Sequence, residues 1–183
     1  VSRFTELLDR FFYRPDEDVG RFLELAPEMD AAPEVAGDEV LEEFLAFELG
    51  GETYAVPIAV VREILRVGDV TEVPRAPPNV IGIINVRGEM LPLYDVKVRL
   101  ALAEQAAVVR TKKDVGRGAR IVLIRDSEGD AGILVDRVQG VVKLAPSGLK
   151  SAPHWGREGD AVAGLCRKDG HLFILLDLGQ ALS

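Results

Sequence analysis

The sequence holds one cysteine, Cys166, and two histidines, His154 and His171, among 183 residues. A single cysteine excludes an internal disulfide framework and suits a reducing compartment. No spacing of cysteines and histidines answers to a metal site. No phosphate loop of the GxxxxGKS/T form is present, and Gly116-Arg117-Gly118 is too short and too polar in context to serve as one. No stretch approaches the roughly 20 consecutive apolar residues of a membrane helix. The opening Val1-Ser2-Arg3-Phe4-Thr5-Glu6 lacks the basic head and apolar block of a secretory signal, so a cytoplasmic protein without membrane insertion is expected. Positive charge is outweighed, giving a formal net charge of -8. That excess argues against nucleic acid and against an anionic membrane face, and leaves protein partners.

Groups that could converge for catalysis are equally scarce. Cys166 and His171 flank one predicted hairpin and are the one conceivable nucleophile pair. Cys166, however, sits in an apolar stretch with Val162, Gly164 and Leu165, where free cysteine is ordinarily inert filling. Most carboxylates lie in an acidic segment or at turns, where solvated charge is the default. The expectation is a protein that is not an enzyme and carries no cofactor or metal.

Apolar residues make up 48% of the chain and charged residues 28%, enough to bury a core. Phe4, Leu7, Leu8, Phe11 and Phe12 recur with helical spacing after Ser2, a good N-cap, and Pro15 ends the pattern. Val19, Phe22, Leu23 and Ala26 suggest a further turn or two. Residues 1–26 therefore read as an amphipathic helical extension, either packed on the rest of the protein or offered to a further partner. Residues 27–43 carry Pro27, Pro33 and many acids and read as an acidic linker.

From Phe44 the apolar period becomes two, over residues 44–183. Phe44–Leu49 and Thr53–Ile58 form a hairpin around Gly50-Gly51, with Leu45, Phe47 and Leu49 on one face. Val60, Val61, Ile64 and Leu65 have helical spacing and predict a short helix over Ala59 to Arg66. A short strand is expected at Val70 to Val73, then a strand apolar on both faces at Val80-Ile81-Gly82-Ile83-Ile84. Met90 to Val96 returns from an Arg87-Gly88 turn, read as type II with the glycine at its third position. An exposed loop follows at Val109 to Gly118. Strands are predicted at Ala119 to Asp126, Ala131 to Val142, Ala161 to Lys168 and His171 to Leu178, the last two joined by Asp169-Gly170. Pro146 to Asp160 is a polar excursion containing Trp155, read as a packing anchor. The body is all-β, with about ten strands and one or two short helices, at the spacing of small barrels or a sandwich.

The stretches "FLAFELGGETYAVPIAVVREIL" and "PNVIGIINVRGEMLPLYDV" resemble the CheW family of bacterial chemotaxis coupling proteins. The matching features are the Gly-Gly turn with Tyr54, the run Val61-Arg62-Glu63-Ile64, Gly82, the element Asn85-Val86-Arg87-Gly88, and Asp95. "GILVDRVQGVVKL" and "GLCRKDGHLFILLDL" agree with the family's later strands. The resemblance covers about Glu43 to Ser183. It implies two SH3-like five-stranded barrels packed together with an apolar groove between them. It also implies an adaptor that bridges methyl-accepting chemoreceptors and a CheA-type histidine kinase. One surface would take the cytoplasmic tip of the receptor and another the kinase's regulatory domain, in rings beneath the receptor array.

By the same resemblance Val61, Glu63 and Ile64 line the receptor groove, Gly82 and Arg87 occupy positions important for coupling, and Asn85, Val86 and Gly88 shape their hairpin. Ile58 and Ile83 are further candidate wall residues, because an apolar groove accepts the edge of an amphipathic helix. The residues before the first strand depart from the family's usual pattern. They leave open a specialised CheW-like regulator of a non-flagellar pathway, with the N-terminal helix as its private contact.

Overall fold

The computed structural model describes residues 41–103, 106–126, 129–145, 150–151 and 161–183. The helical extension expected over residues 1–26, most of the expected linker, His154 and Trp155 lie outside the described residues. Eleven strands are described: β1 Glu42–Leu49, β2 Glu52–Pro57, β3 Val61–Arg66, β4 Val80–Val86, β5 Glu89–Tyr94, β6 Arg120–Asp126, β7 Gly129–Val135, β8 Arg137–Leu144, β9 Lys150–Ser151, β10 Val162–Lys168 and β11 His171–Leu176. A 3-10 turn, Ile58–Val60, precedes β3, and a short helix, α1 Leu178–Leu182, follows β11. The strands form two sheets, in the orders β8-β1-β2-β11-β10-β9 and β3-β6-β7-β5-β4. Each contains one parallel pair, β2 with β11 and β5 with β7, among antiparallel neighbours. These are the two SH3-like subdomains.

Both sheets curl until their ends meet. In the second sheet, Thr71, just beyond β3, exchanges two backbone hydrogen bonds with Ile83 of β4, each 2.8 Å. The chain leaving one edge strand thus pairs with the other edge strand, which closes the barrel and leaves few free strand edges. Gly82 permits that approach. A Cβ placed there would stand 2.4 Å from the Thr71 carbonyl oxygen and 2.9 Å from Val70 Cγ1. In the first sheet β8 and β10 are not neighbours, yet Lys168 Nζ on β10 donates to the Lys143 carbonyl on β8 at 2.7 Å, and Leu144 shares a core with Cys166 and Phe173.

Period-two alternation accounts for how the barrels join. Phe44, Ala46 and Ala55 fill the first barrel, while Ile121, Leu123 and Leu134 fill the second. Their alternates point the other way, yet Leu45, Phe47, Leu49, Tyr54 and Val56 on one side, and Val122, Ile124, Ile133 and Val135 on the other, are no more than 2% exposed. These outward faces meet: β1 lies against β7, and the Ile58–Val60 turn lies against β1 and β6. Asp136 stitches the junction. Its N–H donates to the Glu48 carbonyl at 3.0 Å, and its carboxylate accepts from the Gly50 N–H at 2.7 Å and from Lys97 Nζ at 3.1 Å.

The structure corrects several sequence expectations. Residues 61–66 are strand, not helix. Arg62 is an extra residue between Val61, opposite Ile124, and Glu63, opposite Leu123. Burial still alternates along β3, but apolar Ile64 lies on its exposed face and Glu63 on its half-buried face, so the residue types hide the alternation and imitate a helix, although Val60, Val61 and Ile64 are β-branched and favour strand. Ala131 to Val142 is two strands in different sheets, broken at Asp136, whose polar groups are taken by the junction. The strand expected at Val70 to Val73 is a single bridge at Thr71. Glu42 and Glu43, expected in the linker, pair with Leu144 and Lys143 as the start of β1. The end of the predicted strand 171–178 turns into α1, with Asp177 accepting from the Gln180 N–H at 3.1 Å.

Candidate functional site

The Arg87-Gly88 turn differs from the type II turn read from the sequence in the conformation of Arg87. Val86 pairs directly with Glu89, so the loop has two residues, and both have positive φ, +53° at Arg87 and +95° at Gly88. This is a type I′ turn, whose twist matches that of antiparallel strands. The other two-residue hairpin turns described here, Gly50-Gly51 and Asp169-Gly170, also have positive φ at both positions. Glycine, asparagine and aspartate enter that region easily, whereas an arginine does so at a cost of about 1 kcal/mol or more. Asn85 secures the turn, its Oδ1 accepting the Gly88 N–H at 2.9 Å.

The strained arginine has a partner. Arg87 Nη1 and Nη2 donate to Glu63 Oε1 and Oε2, both at 2.9 Å, in a two-pronged ion pair. This pair spans the barrel mouth between the β4–β5 tip and β3, which are at opposite ends of the sheet order. The Arg87 side chain is 77% exposed and that of Glu63 25%. At that exposure the pair contributes at most about 1 kcal/mol to stability, comparable with the strain it offsets. Its main consequence is geometric: it fixes where the guanidinium stands.

More charges surround the pair. Arg62, the bulged residue, donates to Asp130, and Arg125 Nε donates to the other Asp130 oxygen at 3.0 Å. Arg62 also lies 3.9 Å from Glu89. Beneath them is a cavity of about 180 Å³, bounded by Glu63, Val86, Arg87, Leu91 and Leu123. It has an apolar floor and a rim of fixed charge. Sequence reasoning assigned no role to Glu89, Arg125 or Asp130, and quoted Arg62 only within a motif. The pairings depend on strand register and on a bulge, which composition does not reveal.

The structure brings together only part of the predicted set. Glu63, Val86 and Arg87 line the cavity, with Asn85 and Gly88 shaping its tip. Ile64 is 43% exposed, on the face of β3 opposite Glu63. Ile58 and Val61 are half-buried at the start of that strand. Gly82 is buried and Ile83 half-buried at the Thr71 bridge, with Gly82 roughly 16 Å along the strand from Arg87 at about 3.3 Å per residue.

The conceivable catalytic pair does not assemble. Cys166 lies in the first barrel's core, where burial pushes its thiol up despite the opposing charge of Lys168. His171 is exposed, and its Nδ1 faces the Asp169 carbonyl at 3.0 Å. Tyr54, buried with its hydroxyl 2.8 Å from Glu52, is held protonated by desolvation first and by the Glu52 charge second. Among the described residues no group of three or more His, Cys, Asp or Glu side chains could hold a metal ion. No described helix is long and apolar enough to cross a membrane.

Comparison with known proteins adds the family. The CheW-like domain matches residues 43–183. The chain is 31% identical to the chemotaxis protein CheW of Treponema pallidum, covering 82% of this chain and 87% of that one. It is 30% identical to the chemotaxis protein CheW of Klebsiella aerogenes, over 81% and 86% of the two chains. The crystal structure of the scaffolding protein TtCheW from Thermoanaerobacter tengcongensis superposes with a TM-score of 0.66 at 24% identity, over 76% of this chain and 86% of that chain, and shares the fold. With paired barrels, the Asn85–Gly88 hairpin and this coverage in agreement, the chain belongs to the CheW-like domain family.

Proposed function

We propose that this protein is a non-catalytic adaptor that couples the cytoplasmic tips of methyl-accepting chemoreceptors to a CheA-type histidine kinase. It would act in the cytoplasm, at receptor arrays on the inner membrane. The observation that carries the reading is Arg87: an arginine kept at a left-handed turn position, fixed by Glu63, and still largely exposed beside an apolar-floored cavity. A turn built for stability alone would carry asparagine or glycine there. The receptor tip is an amphipathic helical hairpin in this reading. Half-buried Val86 and the cavity floor supply apolar contact beside the Arg87–Glu63 pair, which supplies orientation, and exposed Ile64, on the other face of β3, would meet a second part of the partner. Modest affinity is sufficient, since an array holds many such contacts at once. Gly82 serves the site at a distance, by letting Thr71 close the barrel on which the hairpin stands.

Calorimetric titration with a soluble receptor-tip hairpin, and separately with the kinase regulatory domain, tests the proposal. Wild type is expected to bind both. Arg87→Glu, with unchanged melting, is expected to lose one of them by about tenfold or more, the scale of one buried charge contact. Absence of binding to either cognate partner, by the full chain and by residues 41–183, which keep β1 whole, would sink the adaptor reading.

A further inference from the structure

A second arginine stands in a left-handed turn position, away from the Arg87 hairpin. The Ala76 N–H donates to the Val73 carbonyl at 3.3 Å, so Val73-Pro74-Arg75-Ala76 is a β-turn, and Arg75 has φ +61°. Proline second and positive φ third define a type II turn, whose third position ordinarily holds glycine or asparagine. Arg87 is compensated by Glu63. Among the described residues, the Arg75 side chain has neither a hydrogen bond nor an ion pair. A strained arginine without an intramolecular partner points to a role for its side chain outside the molecule.

What lies beside it gives that role a chemistry. Residues 106–110 form a strap tied at both ends, Ala106 N–H to the Pro78 carbonyl at 2.9 Å and Arg110 carbonyl to the Val70 N–H at 2.9 Å. Between the strap and the Arg75 turn is a cavity of about 250 Å³, with Val73, Ala76, Ile81 and Val108 among its walls. Val108 is 77% exposed, the most exposed large apolar residue described. Arg75 and Arg110 stand on the rim with Glu72, and Lys112 and Lys113 follow Arg110 in the chain. Three described carboxylates, Asp69, Glu72 and Asp114, lie in this neighbourhood, and Asp69 is exposed. Glu72 pairs with Arg110 at 3.3 Å, and Asp114 accepts the Thr111 and Arg110 N–H groups at 2.8 and 2.9 Å. Arg75 is left, among the described residues, as a rim cation without an ion pair beside an apolar opening.

We propose that this cavity is a docking site for an acidic segment of a partner protein, one that inserts an apolar side chain against Val108 and sets a carboxylate against Arg75. The site does not depend on the Arg87 hairpin, and the proposal stands or falls apart from the adaptor reading. The cation alone would suit a lipid surface or a nucleic acid equally. The apolar cavity beside Arg75 favours a peptide with one apolar side chain, and the protein's net charge of -8 disfavours extended phosphate surfaces.

Fluorescence anisotropy of the full chain with a labelled acidic dodecapeptide carrying one central leucine tests this. Binding is expected, weakened about fivefold when the leucine is replaced by serine and weakened by added salt. Arg75→Gly removes the cation while placing in the turn the residue it prefers, so its melting temperature is expected to equal or exceed the wild type's. Its peptide affinity is expected to fall about fivefold. Val108→Asp, at an exposed position, provides a second variant and is expected to abolish binding. No binding, equal binding of the serine peptide, or unchanged affinity in both variants would overturn the proposal. So would phosphatidylglycerol vesicles or duplex DNA binding as tightly as the peptide.

Discussion

Replacing Gly82 by alanine isolates the contribution of barrel closure. The added methyl would lie 2.4 Å from the Thr71 carbonyl oxygen and 3.1 Å from the Thr71 carbonyl carbon. Both are backbone atoms, which cannot swing aside as a side-chain end can, so Thr71 must retreat by about 1 Å to regain ordinary contact. The two 2.8 Å hydrogen bonds between Thr71 and Ile83 do not survive that retreat. Two backbone hydrogen bonds contribute about 1–3 kcal/mol net, and overpacking adds about 1–3 kcal/mol, for a total of about 2–6 kcal/mol. For a domain of this size that lowers Tm by about 5–20 °C. Thermal unfolding and urea titration of the Gly82→Ala variant measure it. A Tm within about 2 °C of wild type would refute the reasoning. If such a stable variant also failed to bind the receptor tip, Gly82 would be a contact residue and not a closure residue.

Arg87→Asn relieves turn strain and removes an exposed ion pair, so stability is expected to stay within about 1 kcal/mol of wild type while receptor-tip binding is lost; a chemical melt beside the titration separates the two. Asp114 is held below the ordinary aspartate range, first by the Thr111 amide and then by the Arg110 amide. Its contribution to loop order is therefore present above the unfolded pKa and lost as pH falls through the lowered folded value. Amide NMR shifts of Arg110 and Thr111 should titrate with a midpoint below that of a free aspartate, and a midpoint at or above it would contradict this. Buried Asp95 accepts the Lys97 and Ala107 N–H groups at 3.1 and 3.0 Å. Asp95→Ala is expected to cost about 1–3 kcal/mol in a urea titration, by leaving those donors without their acceptor. Cys166 should resist iodoacetamide in the native protein and react fully in denaturant, as mass spectrometry would show; rapid native alkylation would place the thiol outside the core.

Local chemistry carried much of this protein into its sequence. Gly50-Gly51 and Asp169-Gly170 announce their hairpins because few other residues enter positive φ cheaply. Alternation at Phe44–Leu49 announces a strand, and the Asn85–Gly88 element marks the family resemblance. Residues 61–66 misled because apolar Ile64 lies on the exposed face of β3 and Glu63 on its half-buried face, where it meets Arg87, a pairing set by a distant hairpin. Asp136 broke a continuous apolar run because its polar groups answer to Glu48, Gly50 and Lys97, residues distant along the chain. At the site, the sequence determined a glycine-containing turn with an arginine at its tip. Only the closed barrel decided that this arginine meets Glu63 and that Gly82 lies under Thr71. Turns and strands follow from each residue's own backbone preferences; ion pairs and close approaches require two distant segments to arrive at one place, and no local preference encodes that meeting.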